Sequence, residues 1–337
     1  MGVSEVASDA DVPPTGRLER LAALPKLLRM TSGLFWRAWR LDADVVRFHD
    51  TFEEAVGQYA GRDLSDVDPF DLLDIYADLE RRLLWAWSTP IVNDFFVMIF
   101  HGLLRSLCGK WVPGATDLHN ALLAGEGGII STAPAVEAVK LANQVRTDSA
   151  LTELFQSDAT DDELLAAVHA HPRIAEQFED YLVRLGDRCA DELKLEVETL
   201  RHQPDILIRT LRSYLTGDPA ALNQSESGEL AMRKRAEMQV AHSLSGWRAR
   251  LFQQVLRRAR KRVADRENLR FLRTRIFALV REIFRALGRH MVERGDLDDF
   301  RDIFYLTVDE AFGWVRGTTV TTNLSLIHIS EPTRRPI

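Results

Sequence analysis

The last third of the chain constrains it most. From about Glu229 to Ala264, and again from Asp265 to Arg294, apolar residues recur every three or four positions, with Leu269, Leu272, Ile276, Leu279, Ile283 and Leu287 in one register. That spacing puts them on one side of an α-helix, and Gly295 is a candidate C-cap. Helices of this length have to bury their apolar stripes against other helices. No convincing series of strands appears elsewhere, nor any repeat of fixed period. The expected fold class is all-α: an elongated, multi-helix, bundle-like domain with long C-terminal helices.

Upstream, prolines, glycines and capping residues divide the chain. Leu18, Leu21, Leu24, Leu27 and Leu28 begin a helical pattern at Arg17, which Pro25 is expected to kink or restart. A long helix is expected from about Leu34 to Gly57, with Trp36, Trp39, Val45, Phe48 and Phe52 as core positions. Asp68, Pro69 and Asp71 signal a helix start; Pro90 should bend or break the run that follows, and Pro113 with Gly114 closes it. The glycines at 125, 127 and 128 read as a helix-to-helix turn, because they lack the GxxxxGK[ST] pattern and no strand precedes them. Short helices are expected near Asp148–Phe155, Thr160–His169 and Pro172–Leu185, and another opens at Pro204. Asn223–Gly228 reads as a polar linker, and Ile303–Leu306 as a brief extended segment before a helix capped by Thr307.

With 337 residues, 46% hydrophobic and 28% charged, the chain is long enough for a sizeable core. Its net charge of −7 argues against general nucleic-acid binding. Two cysteines, Cys108 and Cys189, make no disulfide framework and point to a reducing cytoplasm. Residues 1–16 lack the apolar run of a signal peptide and are expected to be disordered. The most apolar window, Ile91 to Val112, is interrupted by Asp94, His101 and Arg105, which favours a buried core helix over a membrane span. The expected domain is therefore residues 17–317, with no membrane and no nucleic acid as partner. Residues 318–337 are set aside as a non-native or disordered tail: Ser325–Ile337 leaves the helical pattern and resembles translated sequencing-adapter read-through, so the natural C-terminus is expected to lie further on.

Chemistry-bearing motifs are few. The nine histidines show no HExxH arrangement, so no metal site is expected, and no GxSxG occurs. Two features stand out. The first is an arginine-rich run in which Arg266, Arg270, Arg273 and Arg281 share a broad helical face. Such a face suits phosphate, or simply solvent and acids elsewhere in the protein. The second is GDRCADELKLE, Gly186 to Glu196, at the end of an expected helix. Gly186 can supply the positive φ of a helix C-terminus. If the segment is extended, Glu192, Lys194 and Glu196 project together while Leu193 and Leu195 anchor the other side. The residues alone leave open whether that polar side meets water or a substrate.

Both features resemble one family. RENLRFLRTRIFALVREIFRALGRHMVERGDLDDFRDIFYLTVDE, from Arg266 to Glu310, is similar to the end of the central helical region of phosphoenolpyruvate synthase-like enzymes, a group that includes rifampicin phosphotransferases. GDRCADELKLE resembles a Gly-x-Arg-x-x-x-Glu segment of the same region. The resemblance implies an acceptor-substrate-binding helical domain of a phosphotransferase, probing a small-molecule acceptor with Arg188, Glu192, Lys194 and Glu196, and phosphate with Arg266, Arg273 and Arg281. In that group an ATP-grasp domain uses ATP and Mg²⁺, and a mobile domain relays phosphate through a phosphohistidine. Neither is recognisable in this sequence, so the chain alone is expected to be inactive and to need no cofactor itself. The alternative is a helical scaffold whose arginine face docks an acidic partner.

Overall fold

The computed structural model describes residues 17–59, 62–114, 117–124, 133–189, 191–217 and 219–318. Expectations for residues 1–16, for the glycines at 125, 127 and 128 and for the tail from residue 319 fall outside these, as do those for the side chains of Leu18 to Leu28 and of Trp39. Among the described residues every regular element is helical and no strand occurs. The elements are α1 (Arg17–Val56), α2 (Pro69–Leu79), α3 (Ser88–Trp111), α4 (Leu118–Leu123), α5 (Ala133–Val145), α6 (Ser149–Gln156), α7 (Asp161–Ala170), α8 (Pro172–Leu185), α9 (Asp205–Thr216), α10 (Pro219–Ser243), α11 (Gly246–Glu293) and α12 (Val308–Val315).

Local chemistry explains most boundaries. Asp68 caps α2, accepting from the Phe70 amide at 2.8 Å, with Pro69 in the first turn. Thr160 and Glu163 form a reciprocal capping box on α7, and Thr307 with Glu310 does the same on α12. Gly295, at φ +78°, follows the end of α11. Other boundaries differ from expectation. Pro90 does not break a helix; it sits in the first turn of α3, where amides lack intrahelical partners anyway, and the break falls upstream in a π turn at Glu80–Leu84. Pro25 and residues 223–228 lie within α1 and α10 rather than at breaks. The two expected C-terminal helices meet at Leu244 and Ser245, where Ser245 is extended and Gly246 has φ +61°, so α11 runs unbroken for 48 residues, about 70 Å. Asp265 does not start a helix; it turns inward and meets Arg262 at 2.8 Å. Ile303–Leu306 is not extended: Phe300–Tyr305 is a 3₁₀ turn.

Three apolar cores line up along α11. The first joins the end of α1 and α2 to the C-terminal half of α11 and to α12, through Phe52, Leu72, Ile283 and Leu287. The second lies within α5–α9, around Phe155, Phe178 and Ile208, and takes Phe271 from α11. The third packs α3, α4 and α10 on the N-terminal half of α11 through Leu104, Leu122 and Phe252. All six apolar positions expected on α11 are buried, as are Phe48 and Phe52, but Trp36 is 54% exposed beneath the Arg40 guanidinium. Helix α3 is only half buried: Phe96, Val97 and Cys108 face inward, while Ile91, Phe95 and Met98 do not. Between cores, Arg262 is buried with Asp265, receives Asp42 of α1 on its guanidinium, and offers its carbonyl to Asn93 of α3 at 3.1 Å.

Gly288 lets the 3₁₀ turn close on α11, because a Cβ there would lie 2.2 Å from the Phe300 carbonyl oxygen. Gly288→Ala is expected to destabilise the protein by about 1–3 kcal/mol, read from chemical denaturation, by pushing that turn off the helix.

Candidate functional site

The segment between α8 and α9 is held by hydrogen bonds rather than by regular structure. Gly186 ends α8 in a right-handed conformation (φ −71°, ψ −8°), not the positive φ its type allows; a Cβ would lie 2.2 Å from the Leu182 carbonyl oxygen. The chain then folds back, with the Leu200 amide donating to Arg188 (2.9 Å) and the Arg201 amide to Gly186 (3.0 Å). In between it is a chain of turns: the Lys194 amide donates to Asp191 and that of Val197 to Lys194. The expected alternation therefore fails. Leu193 is exposed, Leu195 packs on the first core, Lys194 pairs with Asp191 at 3.2 Å and Glu196 is exposed.

Helix α11 fastens this loop at two points two turns apart. Thr274 donates its hydroxyl to Glu192 at 2.7 Å. Arg281, 1% exposed, donates to the carbonyls of Leu195 (2.9 Å) and Lys194 (2.8 Å) and approaches Cys189 Sγ at 3.7 Å. Those contacts make Arg281 a tie for the loop and leave it no open face for phosphate. Arg266 lies apart, half exposed and 3.5 Å from Asp94 of α3. Arg273 is partly buried, and its Nε has no hydrogen-bond partner. Burial pushes the Cys189 thiol up, which disfavours a thiolate there.

What the fold does bring together is Arg188, Glu192, Glu267, Arg270, Phe271 and Thr274, around a recess of about 140 Å³. Arg188 is loosely held: its Nη1 is 4.0 Å from Glu192, its Nε has no hydrogen-bond partner, and the guanidinium lies 5.3 Å from the Phe271 ring centre. Arg270 is exposed at the rim. Two guanidinium groups, the carboxylates of Glu192 and Glu267, and a hydroxyl thus line a small concavity, in which the guanidinium groups can meet an anionic group beside a hydroxyl. Glu196 lines a neighbouring cleft of about 480 Å³ that also contains Arg188, Glu198 and Arg301.

Phe271 also walls a third cleft, of about 310 Å³, between the first and second cores. Asp187, Arg201, Arg275 and Glu282 line it. Burial raises the Asp187 carboxyl above its ordinary value, against Arg201, whose guanidinium donates to it at 2.8 Å, and against Arg275. Burial acts the same way on Glu282, but the His202 hydrogen bond and the charges of Arg285 and Arg289 outweigh it and hold the carboxyl below its usual range. His202 is fixed at both ends. The Thr199 amide can only donate to Nδ1 (3.2 Å), so Nε2 carries the proton toward Glu282 at 2.6 Å. Among the described residues no group of three or more His, Cys, Asp or Glu side chains converges as a metal cage.

A family model described as the rifampicin phosphotransferase fourth domain matches residues 90–267. The chain belongs to that family. Among curated proteins, uncharacterized proteins of Mycobacterium tuberculosis and Mycobacterium bovis are each 25% identical over 250 residues, covering 73% of this chain. The chain spans 25% of the length of those relatives. The family match ends at Glu267, so it covers α3 to α10 and the first half of α11, including the whole Arg188–Glu192 loop.

Sequence reasoning had singled out Arg188 and Glu192 together, and Arg270 as part of the basic face. Glu267 enters the sequence reading only within the Arg266-Glu267 pair that carries the family resemblance, while Thr274 and the Asp187–Arg201 pair carry no signal, because tertiary contacts alone give them a place.

Two outcomes test this geometry. Arg281→Met should cost about 3 kcal/mol in denaturant unfolding and make the 186–204 loop the first site of protease cleavage. Asp187→Asn should raise the melting temperature near pH about 7. With its folded pKa raised, Asp187 contributes stability that is present below the unfolded pKa and lost as pH rises through the folded one. The advantage of the variant should therefore shrink as melts are repeated at progressively lower pH.

Proposed function

We propose that this phosphotransferase-family helical domain binds the acceptor substrate, with the recess between Arg188 and Arg270 taking the phosphoryl group as it is transferred. The observation that carries the reading is the loosely paired Arg188 guanidinium, set over Phe271 and facing Glu192 across a concave site. In such a transfer the acceptor oxygen bonds to phosphorus, the phosphorus–nitrogen bond of a phosphohistidine breaks, and the hydroxyl proton leaves. Arg188 and Arg270 would offset charge on the phosphoryl oxygens. Glu192, oriented through Oε2 by the Thr274 hydroxyl, would accept or direct the hydroxyl proton through Oε1. Lys194 and Glu196 stand at the loop's outer edge, where they would meet the acceptor body or a neighbouring module.

The ATP, the Mg²⁺ and the phosphohistidine belong, in this reading, to an ATP-grasp module and a mobile histidine module working beside this domain in the cytoplasm. The chain's own residues bind and orient. The scaffold alternative gains little support from the arginine run. Of the expected face, Arg266 pairs with Asp94 of the same chain and Arg281 is buried against the carbonyls of Lys194 and Leu195, so neither is open to an acidic partner.

The test is phosphotransfer with separately expressed ATP-grasp and phosphohistidine modules from a relative. Arg188→Ala and Arg270→Ala should each lower transfer by about 10²- to 10³-fold with melting curves kept cooperative. Unchanged transfer in both variants, or transfer by this chain alone, would overturn the reading.

A further inference from the structure

Helix α3 presents an apolar face to solvent that none of the three cores uses. Its exposed positions follow one another at alternating spacings of three and four: Ile91, Phe95, Met98, Gly102, Arg105 and Gly109. Ile91 is 63%, Phe95 49% and Met98 71% exposed. The spacing averages three and a half residues, so these positions form a slowly winding seam on one side of the helix, the pattern by which two helices pack over several turns. The run Pro69–Trp111, which includes α3, is apolar enough, with a mean hydropathy of 1.4 in its best window, to match a membrane span in length and composition, yet only 28% of that window is buried.

The seam has two unlike halves. Its N-terminal half is bulky and apolar. Its C-terminal half is small, with nothing within 4 Å of a Cβ placed on Gly102 or Gly109. Run antiparallel against a copy of itself, the seam matches: Met98 falls opposite Gly102, Ile91 opposite Gly109, and Phe95 opposite Arg105. The same register brings Arg105 alongside Asp94 of the other copy, so charge and shape select one alignment. A two-fold contact needs this reciprocity, in which residue i meets j and j meets i. Arg105 is exposed, and Asp94 retains half its surface beside Arg266.

We infer that α3 is the contact helix of a two-fold symmetric dimer of this chain, packed antiparallel through Ile91, Phe95, Met98, Gly102 and Gly109 and registered by Asp94 and Arg105. The seam lies on the side of α3 away from the third core, and the proposal does not depend on the acceptor site.

Sedimentation equilibrium of the full chain over a range of concentrations tests it. Wild type should show a reversible monomer–dimer equilibrium. Phe95→Glu should raise the dissociation constant by roughly 10- to 100-fold. Gly102→Leu should do the same by filling the groove; it replaces an exposed helical glycine with a better helix former, so folding is not the issue. Asp94→Arg and Arg105→Asp should each weaken the dimer, and the double exchange should restore it. A monomer at every concentration, a dimer indifferent to Phe95→Glu and Gly102→Leu, or charge exchanges that fail to compensate would overturn the proposal. So would a chain that stays monomeric but floats with phosphatidylcholine vesicles and loses that behaviour with Phe95→Glu, since the seam would then serve a bilayer.

Discussion

Everything in this molecule hangs on one continuous helix. Helix α11 contributes side chains to all three apolar cores: Phe252 and Leu256 to one end, Phe271 to the α5–α9 unit, and Ile283 and Leu287 to the other end. Most of the stability of a helix inside a protein comes from packing its apolar face, and α11 packs successive faces against all three cores. The face changes along its length, so elements distant in sequence are set at fixed positions relative to one another. The recess between Arg188 and Arg270 exists because the α8–α9 loop is one of those elements, tied to α11 through Thr274 and Arg281.

Arginine does four different jobs along and around that helix, and the surroundings alone distinguish them. Arg262 is buried against the buried Asp265 and the more exposed Asp42, a costly arrangement that is tolerable only because its partners stay in place. Arg281 is buried against carbonyl oxygens and holds a loop. Arg266 and Arg275 make ion pairs with acids of α3 and α1, Arg266 in water and Arg275 partly buried over the Phe52 ring. Arg188 and Arg270 face a concavity with less than their full complement of partners, which is why they, rather than the others, suit a ligand. Guanidinium chemistry is identical in each case; the acceptors opposite it are not.

Much of the fold could be read from the residues. The period of Leu269, Leu272, Ile276, Leu279, Ile283 and Leu287 is a local property, as are the caps at Asp68, Thr160 and Thr307, because each depends on neighbours within one helical turn. The misreadings share a cause. Asp265 resembles a helix start and Pro90 a break because local punctuation carries no tertiary setting. An aspartate can be turned inward by a buried arginine, and a proline is harmless where the amides are unpaired. Gly186 and the turns after it differ from expectation for the same reason, since the loop is shaped in part by Thr274 and Arg281, which arrive from α11.

The sequence by itself determined the all-helical class and the helix ends marked by caps, because these follow from residue spacing and short-range hydrogen bonding. The tertiary structure alone decided that Arg270 and Thr274 join Arg188 and Glu192 while Arg266 and Arg281 do not. Residues on one helix face look equivalent in a sequence; they part company only when different neighbours, arriving from far along the chain, come to lie against each turn.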